Sequence, residues 1–155
     1  MYLLPESISL SLMIAISAIN SSEDLNDMSQ PEKSWTGLVN VACLQLFPEE
    51  QKSQRLALIK TRKSWLALWK YYKPDTSAPE IDFDQQLVVV VKNVRYLNRI
   101  SLESSIRIQG TLTVQTKITR SARPVRDAIH LLMMTADRDG LLRVQHDLET
   151  VAIND

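Results

Sequence analysis

SWLALWKYYKP, residues 64–74, and IDFDQQLVVVV, residues 81–91, decide the fold of this 155-residue chain. Trp65, Leu68, Trp69 and Tyr72 fall at i, i+3, i+4 and i+7, so one stripe of a helix carries all four. The helix is expected over about 62–73. Thr61 can cap its start, Lys70 and Lys73 suit its negative C-terminal end, and Pro74 closes it. Aromatic stripes can stack bases or sugars, but their commoner use is to pack a helix onto a sheet, each ring burying roughly 150–250 Å². Leu87 to Val91 is apolar on both parities, as an interior strand covered on both faces requires. Together the two stretches predict an α+β fold, a mostly antiparallel sheet with one main amphipathic helix packed on it.

Working outward, LVNVACLQLF (38–47) is a strand candidate, with Val39, Val41 and Cys43 on one parity. RLALIK (55–60) follows as a second strand after a turn of about seven residues. On the other side, residues 99–118 alternate around Gln109-Gly110. A two-residue loop there sets Thr111 and Thr113 opposite Ile108 and Ile106. A three-residue loop, 109–111, pairs Ile108 with Leu112 and Ile106 with Val114, keeps one face apolar, and is the preferred register. RSARPVRD reads as a loop. AIHLLMMTADRDGLLRVQH reads as two strands around a turn at Asp137 to Gly140, although IHLLMM fits a helical turn equally well.

The chain suits one folded domain, 35–155, preceded by a segment of different composition, 1–34. Apolar residues make up 45% and charged residues 23%, which is ordinary for a globular protein. Only three glycines leave no Gly-rich phosphate loop. The lone Cys43 excludes an internal disulfide and a multi-cysteine zinc site, and its apolar setting marks a buried small hydrophobe. Net charge is zero, yet unevenly spread. Residues 1–32 hold Glu6, Glu23, Asp24, Asp27 and Glu32 with no Lys or Arg, leaving 18 bases against 13 acids in the rest. That excess is thinner than polyanion binding usually needs.

ISLSLMIAISAI, residues 8–19, has the length of a signal-peptide core with a cleavage position after Ser17, but no Lys or Arg precedes it. The export reading places the protein outside the cytoplasm or in a periplasm; the other reading is an ordinary amphipathic segment of a cytoplasmic protein. The segment is too short and too polar to span a bilayer. Asn20-Ser21-Ser22 fits a glycosylation acceptor, a tripeptide common by chance.

The order strand, Thr-x-x-x-Trp-x-x-Leu-Trp helix, proline-bearing loop, Ile-Asp-Phe, valine run and two alternating strands resembles the C-terminal domain of PrcB-type proteins, accessory components of a bacterial surface protease complex. Thr61, Trp65, Leu68, Trp69, Pro79, Ile81, Asp82, Phe83, Val88 to Val91 and Ile106 to Lys117 carry the likeness, over roughly residues 35–146. The resemblance implies a compact α+β domain with an extracytoplasmic binding or assembly role and no known catalysis. In one place this chain departs from it: the family's glycine-rich turn after the valine strand is replaced by KNVRYLNRIS, without glycine. The family's partner therefore does not carry over.

Motifs that suggest chemistry have plainer accounts. In DRDG (137–140) a calcium loop would place Thr135 and His146 where the first ligand and a bidentate glutamate belong, so a turn with Gly140 at positive φ fits better. His130 and His146 lack neighbouring acids and nucleophiles, and His130 sits in an apolar run. Asp82 and Asp84 would share a strand face, a pairing that can do acid–base work but more often binds loop backbone. No catalytic residue, cofactor or metal is expected. The candidate partner contacts are Arg95, Tyr96 and Arg99 with Arg120, Arg123 and Arg126, on the loops 92–99 and 120–126, because binding groups concentrate on loops held by a rigid sheet. The expected partner is another protein. The rival reading is an anion- or nucleic-acid-binding module built on the basic stretch 117–126, which has no interleaved aromatics to stack bases.

Overall fold

The computed structural model describes residues 33–154. The apolar segment, its cleavage position after Ser17 and the acidic stretch that follows all lie outside the described residues. In chain order the described residues form β1 (Ser34–Asn40), a 3-10 helix (Val41–Leu46), α1 (Glu49–Lys52), β2 (Leu56–Ile59), α2 (Arg62–Tyr72), β3 (Gln86–Lys92), β4 (Arg99–Ile108), β5 (Thr111–Thr119), β6 (Ala128–Asp137), β7 (Arg143–His146) and β8 (Glu149–Ala152). The strands pair into two sheets, β1-β6-β3-β2 and β4-β5-β7-β8. All pairings are antiparallel except β5 with β7. The fold is α+β and mostly antiparallel, with the strands divided between two layers.

Helix α2 forms where the sequence places it. Thr61 Oγ1 accepts a hydrogen bond from the Ser64 amide at 3.2 Å, which satisfies one of the open donors of the first turn. Trp65, Leu68 and Trp69 are buried, and Tyr72 packs beside them. They rest on Ala57, Ile59, Val88, Val90, Leu131 and Met133 of the first sheet. The other parity of that sheet, Leu58, Val89, Val91, Leu132 and Met134 among it, packs on Ile100, Leu112, Val114 and Val144 of the second. The valine strand β3 therefore lies in the middle layer of three, between β2 and β6, and Leu87 to Val91 are wholly buried.

Trp35 joins the aromatic stripe, its ring centroid 5.3 Å from that of Trp65 and 5.7 Å from that of Trp69. Both helix tryptophans use their indole N–H groups on the following loop: Trp65 donates to the Pro79 carbonyl at 3.0 Å and Trp69 to the Thr76 carbonyl at 3.1 Å. These bonds strap residues 74–85 over the helix. Asp82 and Asp84 are thus in a turn, not on a strand. The Asp82 carboxylate accepts from the Asp84 amide at 3.0 Å, the backbone-binding use expected of it.

Three local expectations are overturned. The strand expected over 38–47 begins at Ser34 and stops at Asn40. The Asn40 side chain accepts from the Ala42 amide at 2.9 Å, turning the chain into the 3-10 helix that buries Cys43. The β4–β5 connection is the two-residue loop Gln109-Gly110, with φ of 48° and 77°, not the three-residue loop. Ile108 accordingly faces Thr111, and Ile106 faces Thr113. A bulge between Leu102 and Ser104 reverses the parity of β4, so Ile100 and Leu102 share the buried face while Ser105 and Arg107 stand opposite Val114 and Leu112. Ile100 and Leu102 point inward before the bulge, Ser105 after it, and Ile108 is left 45% exposed. Finally, β6 and β7 flank the turn as expected but do not pair: β6 ends the first sheet's side of the turn and β7 joins β5 and β8. Strand β8 has no counterpart in the sequence reading.

Candidate functional site

Loops 92–99 and 120–126 meet at one end of the sandwich, and their positions follow from the strands they leave. Lys92 ends β3 fully buried. Its ammonium group donates to the Gln51 carbonyl at 2.7 Å and to the Gln54 carbonyl, closing the C-terminal end of α1, and it lies 5.4 Å from the centroid of the Phe47 ring. Burial lowers its pKa to about 8, against the raising influence of Glu149 and Cys43. The chain then turns without glycine. The Asn93 side chain accepts from the amides of Arg95 and Tyr96 at 3.2 and 3.4 Å, an Asx turn in place of a glycine turn.

The two loops then clasp. Leu97 donates its amide to the Arg123 carbonyl at 2.9 Å, and Val125 donates to the Arg95 carbonyl at 3.1 Å, around a bridge between Tyr96 and Pro124. Asn98 is buried and accepts from the Ser121 amide at 2.7 Å. The register of β4 on β5 sets Arg99 against Thr119, next to Arg120. All six residues singled out from the sequence are therefore brought to one end, and all are exposed. The Arg95 guanidinium lies 5.4 Å from the centre of the Tyr96 ring. Beside them a cleft of about 430 Å³ is lined by Leu97, Arg123, Pro124, Arg126, Asp127 and Ala128. None of the five arginines joins an ion pair among the described residues.

Chemically this end offers forked donors and an aromatic face. Guanidinium groups bind carboxylate or phosphate oxygens in pairs. Sequence reasoning missed the two fasteners, Asn93 and Asn98, although asparagine at turn positions is the signal by which they could have been found.

The remaining candidates lie elsewhere in the fold. His130 Nδ1 accepts from the Ile100 amide at 3.2 Å, linking β6 to β4, and its pKa is lowered by burial and then by the charge of Arg99. His146 is buried, shares a 2.9 Å hydrogen bond between Nε2 and the Thr116 hydroxyl, and has a pKa lowered chiefly by burial. Its Nδ1 has no hydrogen-bond partner among the described residues, and the nearest carboxylate oxygen of Asp147 is 3.8 Å away. At DRDG, where a cation would sit, the Arg107 guanidinium already donates to the carbonyls of Asp137 and Asp139, and Gly140 takes φ of 63°. Cys43 is buried, and burial pushes its thiol up to about 11. Among the described residues, no helix is long and apolar enough to cross a membrane.

A scan against protein-family models, a search of curated proteins and a search of solved structures each find no match to this chain.

Proposed function

We propose that this chain is a non-enzymatic binding and assembly domain that takes a protein partner on the clasped loops 92–99 and 120–126. One observation carries the reading: Leu97–Arg123 and Val125–Arg95 backbone bonds fix two surface loops to each other, with Arg95, Tyr96 and four further arginines exposed and without ion-pair partners among the described residues. A surface already ordered loses little entropy on binding, and Arg and Tyr supply much of the energy at interfaces. The likeness to PrcB-type domains supports the same class and an exported bacterial accessory role. The deciding experiment is binding by Arg95→Ala/Tyr96→Ala. Retention of a partner from extracts of the native host should fall by roughly tenfold or more, as loss of a hot-spot residue does, at unchanged Tm. Intact binding, or lost stability with binding preserved in the folded fraction, would sink the proposal.

The same five arginines, without ion pairs among the described residues, favour a second reading, an anion- or nucleic-acid-binding module. Its signature is affinity for a nucleic acid that falls steeply with salt and vanishes in Arg120→Ala/Arg123→Ala/Arg126→Ala. A protein partner whose binding depends on Tyr96 and only weakly on salt excludes it.

A further inference from the structure

Charge on the outer layer of the fold is divided into two blocks that lie side by side. Residues 62–73, α2 and its C-cap, hold Arg62, Lys63, Lys70 and Lys73 and no acid. The loop 74–85 that follows holds Asp75, Glu80, Asp82 and Asp84 and no base. All eight side chains are exposed, and none joins an ion pair among the described residues.

The blocks stand on opposite flanks of α2. On one flank Trp65 and Trp69 hold the loop through the Pro79 and Thr76 carbonyls. A groove of about 630 Å³ runs there, with Arg62 on the helix side and Glu80, Asp82 and Asp84 on the loop side. On the other flank, toward the 3-10 helix, a groove of about 550 Å³ is lined by Leu46, Lys63, Leu66, Ala67, Lys70 and Tyr71. Leu66 lines both grooves and is 40% exposed, so it marks the line between them. In the loop, half-buried Ile81 and Phe83 alternate with the acids. One flank thus offers acids around apolar side chains, and the other an apolar floor under a lysine rim.

A surface whose two halves complement each other meets the requirement of an isologous interface, where every contact occurs twice. We propose that this chain forms a two-fold dimer through the outer face of α2 and the loop 74–85. An axis running along α2 over Leu66 sets the acidic loop of each copy on the lysine groove of the other. The loop meets the helix at Trp65 through Pro79 and at Trp69 through Thr76, so Glu80 comes to Lys63 and Asp75 to Lys70. The two grooves share no lining residue with the cleft beside the clasped loops. The dimer therefore displays two arginine ends, and it stands or falls independently of the proposed function.

The test is sedimentation of the full chain at low salt. The wild type should form a dimer and nothing larger, and added salt should weaken it. Lys63→Glu/Lys70→Glu and Asp75→Lys/Glu80→Lys should each raise the dimer dissociation constant on the order of thirtyfold, since the axis counts every lost pair twice. Mixed in equal amounts, the two variants should dimerise about as well as the wild type, because each pair is restored with its charges exchanged. Arg120→Ala/Arg123→Ala/Arg126→Ala should leave the dimer unchanged. The substituted side chains on α2 and its loop are exposed and make no hydrogen bond among the described residues, so folding is preserved and an unchanged Tm checks it. Four results overturn the dimer: a wild type still monomeric at about millimolar concentration, a series of species growing beyond two copies, a mixture that stays monomeric, or association lost only in the arginine variant.

Discussion

At the scale of single residues, three buried side chains bear most directly on stability. Trp69 touches Trp35, Trp65 and Tyr72 and donates to the Thr76 carbonyl, so its removal opens the helix–sheet core and releases the following loop. Trp69→Ala should cost roughly 3–5 kcal/mol in denaturant unfolding, much of the stability of an ordinary domain. A stable variant that lost only binding would return the tryptophan stripe to the ligand reading. Lys92 presents the opposite case, a buried cation whose ammonium group donates to the backbone carbonyls of Gln51 and Gln54. Lys92→Met keeps the volume and strands those acceptors; a loss of about 1–3 kcal/mol is expected from the same measurement. Cys43, with its thiol pushed up to about 11, should resist alkylation at neutral pH until the protein unfolds, which mass spectrometry of the alkylated protein reads directly.

Elements show how local geometry settles register. Gly37 in β1 is needed for close approach: a Cβ there would stand 2.7 Å from the Tyr72 ring, whose hydroxyl donates to the Thr36 carbonyl at 3.0 Å. Gly110 is needed for conformation, since the β4–β5 turn places it at φ of 77° and a Cβ would also meet Leu142 at 2.8 Å. Gly110→Ala should therefore destabilise by about 1–3 kcal/mol, with the thermal midpoint lowered to match. A neutral result would mean that the hairpin can adopt the longer loop. The alternation over residues 99–118 was legible in the sequence, but its register was not. An apolar face argued for three loop residues; the two-residue loop turns Ile106 and Ile108 away from Val114 and Leu112, and one bulge near Glu103 returns only Ile100 and Leu102 to the buried face.

Across the whole molecule, two buried groups that titrate tie strands together, one between the sheets and one within the second sheet. His130 bridges β6 to β4 and His146 bridges β7 to β5, and both have lowered pKa values because burial disfavours the imidazolium. The unfolded chain then binds more protons than the folded one below the ordinary histidine value of 6.5. Stability is thus fully present above that pH and falls as the pH drops beneath it. Urea midpoints measured from pH 7.5 downward should decline, and His146→Asn should flatten the decline. An unchanged slope would show that the His146 ring is as easily protonated in the fold as outside it.

What the sequence by itself determined were the features with short-range causes. The cap at Thr61, the aromatic stripe of α2, the two-faced burial of Leu87 to Val91 and the inertness of Cys43 each follow from spacing or composition within a dozen residues. The exposure of Arg95, Tyr96, Arg99, Arg120, Arg123 and Arg126 was also legible, as was the loop placement of all but Arg99, which begins β4. Their convergence was not. It rests on backbone bonds such as Leu97 to Arg123, between residues far apart in the chain that only the packing of β3, β4 and β6 brings together. Only tertiary structure likewise split the strands into two sheets, drew Trp35 into the tryptophan cluster and gave β8 a partner. A four-residue strand has too little local pattern to declare itself, and its order comes from the neighbour that completes its hydrogen bonds.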